Sequence, residues 1–171
     1  MRRLPSLAVL AALVMLAGTA RGQSAHDPYV PVTGMAQALE GDLLTINGMT
    51  VRLYGLDAPE IGQFCIARGG RPYDCGRAAT NMLQRLVANR EVTCTLFSRL
   101  PSRSEVGVCT VDGVDLGGVM VLSGWAFSTR GLSNRYEPHE ARAQATRQGL
   151  WSGQAERPWV WRQKQIEAGF R

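Results

Sequence analysis

Asn47-Gly48 is the feature that most restricts the fold of this chain. Leu43 to Ile46 precedes it and Thr50 to Tyr54 follows it, both with alternating apolar and polar residues. Asn-Gly between two such runs predicts a hairpin with a two-residue turn, because both central positions need positive φ. That turn pairs Leu44 with Val51. It sets Leu44, Ile46, Val51 and Leu53 on one buried face and Arg52 on the other, since a strand has a side-chain period of two. Asp42 shares parity with the buried set. It reaches Arg52 only if the chain bends or bulges near Gly41.

Further runs complete the pattern. Met35 to Glu40, Glu91 to Phe97 and Val106 to Val111 read as strands, the last ending in an Asp112-Gly113 turn. From Gly76 to Val87 the period changes: Ala79, Met82, Leu83, Leu86 and Val87 recur at helical spacing, with Asp74 as N-cap. A second helix is expected over Leu116 to Ser123, closed by Gly124. A third opens on Asn134-Arg-Tyr-Glu137, a capping-box pattern followed by Pro138, and stops at Gly149. Strands first, one interrupting helix and later helices predict an α+β domain: a five-stranded barrel with about three packed helices.

The N-terminus carries Met1-Arg2-Arg3, an apolar run from Leu7 to Ala17, and small residues up to Ala20 and Gly22. This reads as a secretory signal peptide over residues 1–22, with an uncleaved anchor as the alternative. The apolar run is short for a full span, and no later segment is expected to cross a bilayer. Residues 23–33, with two prolines and no periodicity, read as a linker. The folded domain is placed over 34–162, with a tail over 163–171. Export also changes the charge. Loss of Arg2, Arg3 and Arg21 turns nineteen basic residues into sixteen against fourteen acids, so the net charge falls from +5 to +2. A basic total therefore does not argue for a nucleic-acid partner; only clustering would.

Cys65, Cys75, Cys94 and Cys109 form an even set without Cys-x-x-Cys spacing, which favours disulfides over zinc or redox chemistry in an exported chain. Three pairings are possible. Cys65–Cys75 with Cys94–Cys109 is preferred, because the second pair lies in two strand-like runs that could be neighbours.

The chemistry concentrates between Glu40 and Glu60. Asp42 opens one strand, Arg52 lies in its partner, and Asp57 and Glu60 flank a proline at the exit. Carboxylates from separate segments suit a hard cation such as Ca2+, and an Arg beside them suits a phosphate oxygen. Taken alone, the same groups could simply be a solvated hairpin.

The segments Glu40-Gly-Asp42-Leu43 and Arg52-Leu-Tyr-Gly-Leu-Asp57-Ala-Pro-Glu60 resemble the signature of the staphylococcal nuclease family. The likeness continues through Val114-Asp-Leu, Gly124-Trp-Ala and Gly149-Leu-Trp151-Ser-Gly. It implies a Greek-key OB-fold barrel and an exported, Ca2+-dependent nuclease acting on DNA or RNA. By the same resemblance, Asp42, Asp57 and the backbone carbonyl of Ala58 match metal-binding positions. Glu60 matches the water-activating carboxylate and Arg52 the phosphate clamp. Three departures stand out. Ser104 occupies the place of a second catalytic arginine, with Arg103 and Arg99 as nearby substitutes. Leu43 replaces a threonine, and Leu132 replaces an aromatic residue.

These losses imply weakened activity. They also keep open a second reading, a non-catalytic envelope module that binds nucleic acid or another polyanion. The expected product is a periplasmic or secreted monomer. His26 and His139 are expected to be solvated, and Trp151, Trp159 and Trp161 to pack the C-terminal segment onto the barrel rather than stack bases. No serine-hydrolase or phosphate-loop motif occurs.

Overall fold

Asn47 and Gly48 adopt φ of 51° and 77°, the left-handed pair that a tight hairpin requires. They join β2 (Leu43–Ile46) to β3 (Met49–Leu53), with Leu44 opposite Val51. The computed structural model describes residues 30–97, 105–131 and 133–169. The expected signal segment, Arg99, Arg103, Ser104 and Leu132 lie outside the described residues.

β1 (Val30–Ala38) is long enough to serve two neighbours. Its second half pairs with β2, and its first half pairs antiparallel with β7 (Glu91–Leu96) from Val30↔Leu96 to Met35↔Glu91. β7 pairs with β8 (Glu105–Val111), and β8 runs parallel to β3 from Val51↔Glu105 to Leu53↔Gly107. That last pairing closes five strands into a barrel and leaves no free edge between them. The fold is thus an α+β OB-fold barrel, as expected, with four helices among the described residues rather than about three. The strand reaches back to Val30, so residues 30–33 belong to the barrel and not to the linker placed over 23–33.

The barrel interior is filled by the alternating residues of the hairpin. Leu44, Ile46, Val51 and Leu53 meet Val92, Leu96 and Val111. α1 (Cys75–Val87) covers this core with Ala79, Leu83 and Val87. Asp74 caps it, accepting a hydrogen bond from the Arg77 N–H at 2.8 Å. Cys94 sits directly opposite Cys109 across β7 and β8, and the two form one disulfide; Cys65–Cys75 form the other.

The remaining elements wrap one side. β4 (Leu56–Asp57) pairs with β10 (Phe127–Ser128), and β5 (Phe64–Ile66) with β6 (Pro72–Asp74). β9 (Val114–Asp115) leads into α2 (Leu116–Leu122), whose first turn is capped by the Asp115 carboxylate. α3 spans Glu137–Ala145 and α4 Pro158–Glu167, so α4 enters the segment expected as a tail over 163–171.

The capping box expected from Asn134 is not formed. Arg135 reaches Asp115 at 2.8 Å and the Tyr136 hydroxyl donates to the same carboxylate at 2.9 Å, so helix α3 starts only at Glu137. Burial, then the charge of Asp115, pushes the Tyr136 hydroxyl up, which keeps it a neutral donor. His139 is not a freely solvated side chain either. Its Nδ1 is enclosed without a hydrogen-bond partner, and its ring lies edge-on to Tyr136 at 5.9 Å.

Candidate active site

Two glycines decide where the acidic segments lie. The bend that the parity argument requires is present over residues 39–42, where the N–H groups of both Leu39 and Glu40 point at the Leu43 carbonyl. Gly41 is pressed against the helix there. A Cβ on it would stand 2.7 Å from the Cβ of Ala58 and of Ala79. Gly76, in the first turn of α1, lies under the Glu60 turn so closely that a Cβ would fall 1.8 Å from the Glu60 carbonyl oxygen. Such distances are far inside van der Waals contact, so any side chain at either position would displace its neighbouring segment.

Gln63 braces the same turn. It is fully buried; its Oε1 accepts the Glu60 N–H at 3.1 Å and its Nε2 donates to the Glu156 carbonyl at 2.8 Å. Its own carbonyl accepts the Cys75 N–H at 3.1 Å. One residue therefore ties the Glu60 turn, the start of α1 and the C-terminal segment together.

These supports bring Asp42, Arg52, Asp57 and Glu60 onto the wall of one cavity of about 830 Å3. Arg52 Nη1 donates to Asp42 Oδ1 at 2.7 Å and Nη2 to Glu40 at 3.3 Å. Asp42 is 3% exposed, and the Ala58 N–H donates to its second oxygen at 3.4 Å. Burial pushes the Asp42 carboxyl up to about 7 even with Arg52 beside it, and the negative charges of Asp57 and Glu40 act in the same direction. Two buried carboxylates on one cavity wall are a donor set that a hard cation would satisfy. Among the described residues, no three His, Cys, Asp or Glu side chains form a ready-made metal cluster, so further oxygen donors would have to be backbone or water.

One group at this site has no counterpart in the sequence reading. Arg162, on α4, donates from Nη1 and Nη2 to the two oxygens of Asp57 at 3.0 and 2.8 Å, and from Nη1 to Glu60. The pairing spans 105 residues. No local motif around Arg162 announces it; only the buried polar brace at Gln63 and the path of α4 do.

The far wall is built from the C-terminal half. Glu140 is 1% exposed, accepts from Arg157 at 2.8 Å and from the Ser128 N–H at 3.3 Å, and has Arg130 at 3.7 Å. Arg157 lies over the rings of Phe127, Trp151 and Trp159 at 4.8 to 5.5 Å. Trp151 and Trp159 thus hold the C-terminal segment against the barrel side.

A closed OB-fold barrel with acids and arginines in a cavity beside its hairpin defines a class of protein. Residues 50–153 match the family model described as Staphylococcal nuclease homologue, and the chain belongs to that family. It is 34% identical over 155 residues to a succinoglycan biosynthesis protein, ExoI, of Rhizobium meliloti (strain 1021), covering 87% of this chain and 76% of that one. An uncharacterized endonuclease of Escherichia coli O157:H7 is 29% identical over 138 residues, covering 76% of this chain and 84% of that one. A probable staphylococcal-like nuclease, CAN3, of Oryza sativa subsp. japonica is 30% identical over 121 residues, 69% of this chain but 29% of its own length. Asp42 and Arg162 both lie outside the residues that the family model matches.

Proposed function

We propose that the chain is an exported, metal-dependent phosphodiesterase that hydrolyses DNA or RNA. The observation that carries this reading is the meeting of Asp42, Arg52, Asp57 and Glu60 on one cavity wall. The family adds that its members include nucleases. Asp42, Asp57 and the Ala58 carbonyl are assigned to a hard cation, Ca2+ in this reading, because its loose oxygen coordination leaves places for water and substrate together. When bound, that ion supplies positive charge next to the scissile phosphate.

Glu60 is the general base. A water oxygen bonds to phosphorus while its proton passes to the Glu60 carboxylate. The bond from phosphorus to the leaving sugar oxygen then breaks, and that oxygen takes a proton from solvent. Arg52 faces the charge that builds on the non-bridging oxygens, which is where preorganised donors act most strongly. Export is supported by the signal-like segment and by two disulfides, which persist in oxidising compartments. Among the described residues no helix is long and apolar enough to cross a membrane. We assign a monomer.

The test is cleavage of single-stranded DNA and of RNA by purified protein with Ca2+ and with chelator. Metal-dependent cleavage that falls about a hundredfold or more in Glu60→Gln is expected. No cleavage of either polymer with any divalent cation would overturn the reading. Salt-sensitive binding without turnover would then favour the non-catalytic polyanion-binding module, a reading helped by carboxylates that are already paired with Arg162.

A further inference from the structure

The start of α4 is anchored by residues other than Arg162. Pro158 of α4 is buried, Arg157 just before it is paired with Glu140, and Gln63 holds the Glu156 carbonyl. The Arg162 guanidinium spans Asp57 and Glu60, while Arg52 pairs with the other two acids, Asp42 and Glu40. The side chain is 43% exposed and lines the cavity, so it can exchange partners without the fold opening. Asp57 at the other end of the pair is buried, so the exchange is favourable when an arriving cation takes over its charge.

The fork that grips both oxygens of Asp57 has the spacing needed to grip two oxygens of a phosphate. We propose that Arg162 is a second phosphate-binding guanidinium of this site, held on Asp57 and Glu60 until substrate and cation compete for it. The proposal rests on the phosphodiesterase reading for the identity of its ligand. Arg52 from the barrel and Arg162 from the C-terminal helix then face the phosphate from two directions. Arg162 also opposes cation binding in the free protein, since both positive charges seek the same carboxylates.

The full chain and its Arg162→Gln and Arg162→Lys variants test this with three readouts. In cleavage of single-stranded DNA with Ca2+, kcat is expected to fall about a hundredfold in Arg162→Gln with KM changed far less, and Arg162→Lys to recover only part of it. In calorimetric titration of chelator-treated protein, Ca2+ is expected to bind Arg162→Gln more tightly than wild type.

The third readout is binding of a nuclease-resistant phosphorothioate single strand in Ca2+. The slope of log K against log salt is expected to drop by about 0.7 in Arg162→Gln, one phosphate contact on a single strand. An unchanged kcat and slope, or a loss of Ca2+ binding together with melting temperature in both variants, would overturn the proposal and mark Arg162 as a tether. If wild type cleaves nothing but the slope still falls in Arg162→Gln, the phosphate contact stands and the nuclease reading alone is lost.

Discussion

Gly76 and Glu60 touch backbone to backbone: the Glu60 carbonyl oxygen occupies the space a Cβ on Gly76 would need, at 1.8 Å. Placement of the proposed general base therefore depends on a missing side chain in the first turn of α1. Gly76→Ala should fold, because alanine favours the helix by about 1 kcal/mol and overpacking costs about 1–3 kcal/mol. Its cleavage rate should fall more than its stability, by about a hundredfold, since a shift near 1 Å at a reacting group costs that much. Melting temperature and kcat measured on one preparation check this. An unchanged kcat would show that the Glu60 turn can move without consequence.

Asp42 gives the calcium-free protein a distinct pH profile. Its carboxyl is raised from 3.8 to about 7 in the fold, so the native state holds a proton that the unfolded chain has released. The stabilising effect is full below about pH 4 and is lost as pH rises towards 7, at about 1.4 kcal/mol per unit within that window. Chelated wild type should therefore lose stability relative to Asp42→Asn between pH 4 and 7. On the proposed cation site, added Ca2+ would favour ionised Asp42 and should remove the difference. Denaturant melts at several pH values measure it; a parallel profile for the two proteins would contradict it.

The two disulfides should separate stability from function. Cys94–Cys109 lies in the barrel core, 15 residues apart, and replacing both with alanine should cost about 3 kcal/mol and lower the melting temperature by about 10 °C. Cys65–Cys75 closes a loop of 10 residues that begins just past Glu60 and ends beside Gly76. Its removal should reduce kcat more per degree of melting temperature lost. Calorimetry and cleavage assays on the two double variants test the ranking.

What could be read in advance was local. Asn47-Gly48, the parity of Leu44 and Arg52, the N-cap at Asp74 and the strand positions of Cys94 and Cys109 all follow from spacings of a few residues, and each is found in the fold. The parity of Asp42 even required the bend seen over residues 39–42. What failed was decided by distant partners. Arg135 and Tyr136 are drawn to Asp115, which shifts the start of α3, and Arg162 finds Asp57 across 105 residues. Nothing within one helix turn of these residues encodes those contacts.

Arg157 and Glu140 allow a test of how α4 is held. Glu140 is buried and its charge is balanced by Arg157, whose guanidinium also packs among three aromatic rings. Removing Arg157 leaves a buried carboxylate with the more distant Arg130, at 3.7 Å, as its counter-charge, so Arg157→Ala should cost about 3 kcal/mol and more than Glu140→Gln, which leaves no buried carboxylate charge behind. The lost ring packing adds to the cost, at about 1 kcal/mol. Because α4 carries Arg162 into the cavity, cleavage should fall in Arg157→Ala along with stability. The double change Arg157→Met with Glu140→Leu replaces the pair with apolar groups of similar size, and should regain most of the melting temperature. If the double variant is no more stable than Arg157→Ala, the buried carboxylate is not the source of the loss, and the cation's stacking on Phe127, Trp151 and Trp159 is.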